Sequence, residues 1–508
     1  MTKILRPVGN LERYYITRQN VNFYNNILFS IRYQWDELYN LNPIIDPITN
    51  NIINEAKEFI LQILYPSLKK LILKQPSLSI SLKDTRSPQP LFILLSQIDL
   101  SNLIKFVVIS NDEKDLVNAF EQEHDIALDQ DDETKPLWRM TIGIATNSDG
   151  NTQTRPDYDL CVMFCWHHCI GDGKSAYAIH NTFIESVNST LQEKNNSFIE
   201  PINPFSKYII SIPDTHQICE PLEKRINVKP TIPHLLKEAF IELLLPSILK
   251  KSLLPNYWAG DTHSKDLLDY HTKVLLYSLE KDEFENLILI TRQNQTTIQA
   301  VLHTAILFSS SHYLNNSNKS IRITSPFTLR PYATPPISSD DMGNYVTEFL
   351  FDYKVPVNRS NFDNIYFWEL CRQYKSQLEN GIPSSIQHVG MLDYLSKDNK
   401  SWEDFFKQKM IGLPMGRGYS FELSNWGKYY NENTNTCNWK IIDMFISQSA
   451  QVVGAAINVN SISYSNKLNI SITYQKGAIS NEKVKEFSNG IIKCLKLISN
   501  KNINLVEE

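Results

Sequence analysis

The sequence contains no run of 18 uncharged apolar residues, which argues against a transmembrane helix. Its opening MTKILRPVGN meets Arg6 and Pro7 before an apolar core can develop, so a secretory signal peptide is not expected. Basic blocks of the kind that track phosphates are missing, and the formal net charge is -5, so neither nucleic acid nor another polyanion is expected as a partner. There is no phosphate-cradling loop of the GxxxxGKS/T kind. Cysteine is scarce: 7 in 508 residues, an odd number with no regular framework, which excludes a full disulfide scheme. Reduced thiols and a cytoplasmic setting are the expectation. Cys161, Cys165 and Cys169 flank two histidines, a zinc-like ligand set, but no second Cys-x-x-Cys pair completes four ligands and two of the thiols lie inside an apolar strand. No metal is expected.

What the chain does have is enough apolar sequence for more than one core. At 42% hydrophobic and 21% charged, it should hold two or more domain-sized units at roughly 100 to 200 residues each. Asparagine is abundant, as in 313–319 and 431–438, which read as solvated loops; the sequon at Asn188 carries little weight in such a composition. Helical periodicity is clearest in 54–73, 175–191, 235–249 and 284–313, the last with a break. Strand-like stretches are 106–110, 138–145, 160–166, 273–279, 321–325, 451–458 and 468–474. The class is therefore mixed α/β. Proline recurs without periodicity between Pro201 and Pro233, which divides the chain into an N-terminal half, 1–205, a crossover linker, 206–233, and a C-terminal half, 234–508. The apolar stripe of 235–249 is expected to face a core; Lys237, Lys250 and Lys251 leave an interfacial, peripheral membrane helix as the alternative.

The densest chemistry lies in Leu160 to Gly173, LCVMFCWHHCIGDG, an apolar strand that stops at His167-His168-x-x-x-Asp172-Gly173. Histidine can take and return a proton near neutral pH, so two imidazoles at a strand end are a candidate site for proton transfer. A His pair can also be merely packed and hydrogen-bonded; the second His, the glycines and the preceding strand favour the site.

This pattern resembles the HHxxxDG motif of the CoA-dependent acyltransferases, the superfamily of chloramphenicol acetyltransferase, the plant BAHD enzymes and nonribosomal condensation domains. Further segments resemble the fungal-type alcohol acetyltransferases, in the family's order: Leu5 to Tyr14, Phe23 to Asn26, Pro136 to Arg139, Ser325 to Pro331, Met342 to Tyr345, Leu423 to Gly427, Phe445 to Ser449 and Leu468 to Gln475. The BAHD motif DFGWG is missing, with Ser424-Asn425-Trp426-Gly427 in a comparable place, which sets any BAHD-style CoA contact aside. The resemblance implies an α/β fold of two chloramphenicol-acetyltransferase-like mixed-sheet halves with an active-site channel between them. It implies acetyl-CoA or another acyl-CoA as co-substrate, no permanently bound cofactor, and a small alcohol or amine as acceptor. A monomer is expected.

On the same resemblance His168 is the general base and Asp172 a structural acid that pairs with a distant arginine, matched by Arg330. A triad, with Asp172 orienting the imidazole, is the alternative, as is an Arg330 that is exposed or caps its turn. His167 is expected to pack behind the site. Gly173 is expected to supply backbone angles that a side chain would penalise, with Lys174 and Ser175 opening a helix. Thr328 and Ser424 are candidate donors to a developing oxyanion. Two rival readings stay open: a condensation-like or polyketide-tailoring transferase with a carrier-protein donor, and a catalytically silent scaffold of the same fold.

Overall fold

In the computed structural model the described residues are 3–36, 38, 54–110, 112–146, 157–196, 207–239, 256–267, 269–314, 319–354, 364–395, 399–430 and 439–500. Eleven strands build two large mixed sheets: β1 (Ile27–Trp35), β2 (Ile104–Ser110), β3 (Trp138–Thr146), β4 (Leu160–Trp166), β5 (Thr272–Leu279), β6 (Ile321–Thr328), β7 (Val346–Tyr353), β8 (Tyr419–Lys428), β9 (Trp439–Gln448), β10 (Ala455–Tyr464) and β11 (Lys467–Gln475). The first sheet has the order β9-β1-β4-β3-β2 and the second β5-β11-β10-β8-β6-β7. In the first, only β2 and β3 run parallel; in the second, β6, β8 and β10 run parallel to their neighbours in that trio. The expected mixed α/β class holds. β9, from late in the chain, pairs antiparallel with β1 from Trp439↔Trp35 to Gln448↔Ile27, so the first sheet takes its edge strand from beyond the crossover.

The principal helices named below are α1 (Asn10–Asn20), α2 (Asn54–Lys74), α3 (Glu113–Asp125), α4 (Ser175–Asn196), α5 (Lys281–Gln293) and α6 (Ile298–Tyr313). β4 is the central strand of the first sheet, and its side chains alternate between two cores. Leu160, Val162, Phe164 and Trp166 join the apolar cluster that holds α2 and α4, while Cys161 and Met163 pack with Phe120 of α3, Phe445 of β9 and Val274 and Leu276 of β5. A strand covered on both faces has no place for a polar residue, which is why it reads as one continuous apolar run. Each such side chain contributes about 1.5 to 3 kcal/mol on burial. The second face also joins the sheets, since β5 belongs to the other one. The six cysteines among the described residues are all free thiols.

Several expected elements differ in extent. The helical stretch from Phe284 to Tyr313 breaks between α5 and α6: Gln295 takes a left-handed φ of 56°, and Thr297 caps α6 by accepting from the Ala300 N–H at 3.2 Å. The strand expected over 451–458 begins only at Ala455, because the Gln451 side chain turns inward to donate to Glu422 and Asn458 at 2.8 and 2.9 Å. In 235–249 the described helix is Ile232–Ala239, and the rest lies outside the described residues. Of the expected apolar stripe only Leu235, half-buried, and Leu236, 65% exposed, have described side chains, so whether it faces a core lies outside the described residues. The loop 431–438 and most of 313–319 also lie outside the described residues. The crossover carries a short strand, Ile209–Ser211, and a turn of helix, Leu222–Arg225. Leu222, Ile226 and Val228 there pack against Leu11, Leu329 and Tyr345.

Candidate active site

The loop between β4 and α4 is folded back on itself before any long-range contact is considered. The Trp166 indole donates to the Gly171 carbonyl at 3.0 Å, and the Ile170 N–H donates to the His167 carbonyl at 3.1 Å. The loop's two chemical groups then meet different surroundings.

Asp172 is 2% exposed and fully engaged. Oδ1 accepts from Arg330 Nη2 at 3.1 Å and from the Ser175 N–H at 3.0 Å, and Oδ2 accepts from the Tyr345 N–H at 3.0 Å. The Ser175 bond caps the first turn of α4, where a carboxylate satisfies a free N–H and favours the helix dipole. Burial pushes the Asp172 carboxyl up, but the Arg330 charge and these hydrogen bonds outweigh it and hold the group below its ordinary range. Arg330 is 4% exposed and is itself pinned, donating from Nη1 to the Ser338 and Asp341 carbonyls at 2.7 Å each and from Nη2 to the Gly343 carbonyl at 3.1 Å. None of the Asp172 bonds goes to an imidazole.

His168 is half-buried, and its ring bonds to its own backbone carbonyl. Asn344 donates from Nδ2 to that same carbonyl at 2.9 Å, with Nδ2 3.2 Å from the ring Nδ1. On one face the Tyr15 ring of α1 stacks at 3.7 Å. Nε2 has no partner among the described residues. Burial lowers the His168 pKa from 6.5 to about 4, against the bond to its carbonyl and the Asp172 charge, which raise it; Arg18 lowers it further. The ring is therefore neutral at pH 7. His167 is 2% exposed and accepts from the Cys169 N–H at 3.0 Å through Nδ1; burial, then the neighbouring His168, lowers it to about 3.

Gly173 has a different reason from the one expected. Its φ lies outside the left-handed region, so no special backbone angle is needed; a Cβ there would come within 2.7 Å of Trp426 Cε2 and 2.9 Å of Nε1. Space against the indole, not backbone freedom, requires glycine. Lys174 and Tyr177 both donate to the Trp426 carbonyl, at 2.7 and 3.0 Å, which ties β8 to the start of α4. Ser424 Oγ accepts from that indole at 3.2 Å, and Thr328 Oγ1 accepts from the Arg330 N–H at 3.3 Å. The structure thus gathers His168, Asp172, Gly173, Arg330 and Ser424 round one loop, while Thr328 lies on the turn before Arg330, where its hydroxyl oxygen accepts. Among the described residues no three His, Cys, Asp or Glu side chains converge on a metal-sized site.

Tyr15 and the roles of Asn344 and Trp426 were not apparent from sequence. Tyr15 stands one residue beyond the matched Leu5 to Tyr14 segment, and Asn344 and Trp426 sit inside matched segments with no local feature that assigns them a partner.

Residues 7–496 match the alcohol acetyltransferase family. A probable alcohol acetyltransferase of Fusarium pseudograminearum (strain CS3096) is 22% identical over 431 residues, 82% of this chain and 82% of the relative. One from Aspergillus fumigatus is 21% identical over 488 residues, 93% of this chain and 95% of the relative. Among solved structures, the trichothecene 15-O-acetyltransferase from Fusarium sporotrichioides superposes with a TM-score of 0.66 over 97% of this chain and 95% of its own, at 10% identity. The first condensation domain of the calcium-dependent antibiotic synthetase gives 0.59 over 98% and 97%, also at 10% identity. At such identities the structural likeness carries the two-lobed fold. No helix among the described residues is long and apolar enough to cross a membrane.

Proposed function

The chain belongs to the alcohol acetyltransferase family and is an acetyltransferase enzyme, and on that premise we propose that it moves an acetyl group from acetyl-CoA to an alcohol with His168 as the general base. One observation carries the reading: Nδ1 of His168 lies on the side of its own carbonyl and Nε2 is uncommitted among the described residues; with the Nδ1–H on that carbonyl, the Asn344 amide, a donor, bonds the carbonyl at 2.9 Å and not the ring. A ring whose Nδ1–H is directed at a carbonyl presents a lone pair at Nε2. Asp172 is spent on Arg330, Ser175 and Tyr345, so its part is to fix the loop and not to orient the base.

The steps follow from that placement. Nε2 takes the hydroxyl proton as the alcohol oxygen attacks the thioester carbon; the new C–O bond forms and the carbonyl electrons move onto oxygen. When that oxygen re-forms its double bond, the C–S bond breaks and the imidazolium returns its proton to the leaving thiolate. The ring ends as it began, and the products are an ester and free CoA. A neutral base at working pH needs no prior deprotonation, and a low pKa makes the imidazolium a ready proton donor in the second half.

Binding of acyl-CoA falls to side chains between the two lobes, since the sequence has no phosphate-cradling glycine loop. The test is incubation with acetyl-CoA and a panel of alcohols and amines, following free thiol. Thiol release that depends on an alcohol, with the matching ester formed, is expected. Failure with every acceptor, together with turnover of an acyl group presented on a carrier protein, would overturn the donor assignment.

A further inference from the structure

Tyr15 lies face to face with His168, the ring planes 11° apart and the centroids 3.7 Å apart. Nothing in the hydrogen bonding of His168 demands this contact, because the ring bonds to its own carbonyl and Asn344 donates to that same carbonyl. Behind Tyr15, one turn along α1, the Arg18 guanidinium rests against three rings, 4.5 Å from Tyr24, 5.6 Å from Tyr14 and 5.8 Å from Tyr15. Arg18 is 6% exposed, yet among the described residues no carboxylate touches it; Nη2 donates to Gln451 Oε1 at 3.0 Å. Gln451 in turn donates to Glu422 of β8, in the other sheet.

We propose that Tyr15 is a positioning residue for the base: its ring fixes the plane of the His168 imidazole, and Arg18, clasped by the three tyrosines and tied to Gln451, fixes Tyr15. The proposal rests on the reading of His168 as the base. An imidazole held only near Nδ1 can rock about its outer torsion, which swings Nε2 away from an incoming hydroxyl; a flat aromatic stack resists that motion. Misplacement of a reacting group by about 1 Å can cost on the order of 100-fold in rate.

The same contact governs charge. The groups facing the imidazole are Tyr15 and Arg18 from α1, Tyr24 from the segment after it, His167 and Asp172 from its own loop, and Asn344 from the segment before β7. Tyr15 shields one face from water and Arg18 opposes a second positive charge, so both favour the neutral ring; Asp172 pulls the other way. Once the ring is charged in turnover, the Arg18 charge favours return of the proton to the leaving thiolate.

The experiment compares kcat, KM and the pH dependence of kcat/KM for the full chain and for Tyr15→Leu, Tyr15→Phe, Arg18→Met and His168→Ala. Tyr15→Leu is expected to lower kcat by about 10-fold or more with KM within about threefold, and Tyr15→Phe to recover most of that loss, since the ring and not the hydroxyl stacks. Arg18→Met removes a nearby cation, so the acid limb should move to higher pH, by about half a unit or more. A merely structural role would lower activity without moving the limb. Should Tyr15→Leu not fold, Arg18→Met carries the test through that limb. An inactive, folded His168→Ala together with Tyr15→Leu and Arg18→Met that keep the native kcat and acid limb would overturn the positioning role alone. A folded His168→Ala that turns over normally would overturn the base reading beneath it, and a Tyr15→Phe as damaged as Tyr15→Leu would replace the stack with a role for the hydroxyl.

Discussion

Asp172, near the α4 end of the motif loop, is held by Arg330, Ser175 and Tyr345, whereas His168, near the β4 end, is held by a ring face and by its own carbonyl, to which Asn344 donates, and among the described residues its Nε2 has no partner. One end is saturated with charge-assisted bonds; the other is left with unused valence. The contrast teaches where rigidity and reactivity are placed. The acid fixes the loop across the two sheets, since Arg330 lies 158 residues on, and the proposed base four residues away could then work from a fixed position without spending its lone pair on structure.

The sharpest way to break this comparison is at its rigid end. Asp172→Ala strands the buried Arg330 and Arg330→Ala strands Asp172, so each should destabilise the fold by about 3 to 5 kcal/mol and lower activity with it. The double variant should lose much less than the sum of the two, measured by urea unfolding. Additive losses would show that the two groups act separately.

A smaller effect is expected where the loop meets β8. Gly173→Ala should cost about 1 to 3 kcal/mol through overpacking against Trp426. Because no left-handed angle is involved, Trp426→Leu combined with Gly173→Ala should recover part of that loss in a thermal melt. No recovery would return the requirement to the backbone.

A test spread over many sites at once is pH. His124, His167, His180 and His303 are buried, and burial lowers each to about 3, while His168 is lowered to about 4. In the unfolded chain these imidazoles titrate near 6.5. Between those limits the unfolded state binds protons that the native state refuses, so stability is full above about pH 7 and falls as pH drops from about 6.5 towards 4. The melting temperature should be level from pH 8 to 7 and decline steadily from 6.5 to 5. A level melt down to pH 5 would contradict the neutral, buried imidazoles.

Much of this was legible in the chain, for physical reasons that differ by residue. β4 could be bounded residue by residue because a strand buried on both faces admits no polar side chain and ends where His167 begins. The pairing of Asp172 with Arg330 was available only through family resemblance, since no local spacing relates residues 158 apart. Tyr15 was hidden for the same reason: in sequence it is one tyrosine of a helix, and its role exists only once α1 is laid against the motif loop. β9 carried a matched segment, but not the information that it would pair with β1. The expected strand over 451–458 failed at its start because Gln451 bonds sideways to Glu422, a choice made by tertiary contacts and not by alternation.

The central claim is that the uncommitted nitrogen of His168 removes the acceptor's proton. Ester formation from acetyl-CoA and an accepted alcohol should therefore be measured for His168→Ala, with circular dichroism and melting temperature recorded on the same sample. A loss of about 100-fold or more in rate, with the native spectrum kept, is the predicted result. A folded His168→Ala that forms the ester at near the native rate would contradict it.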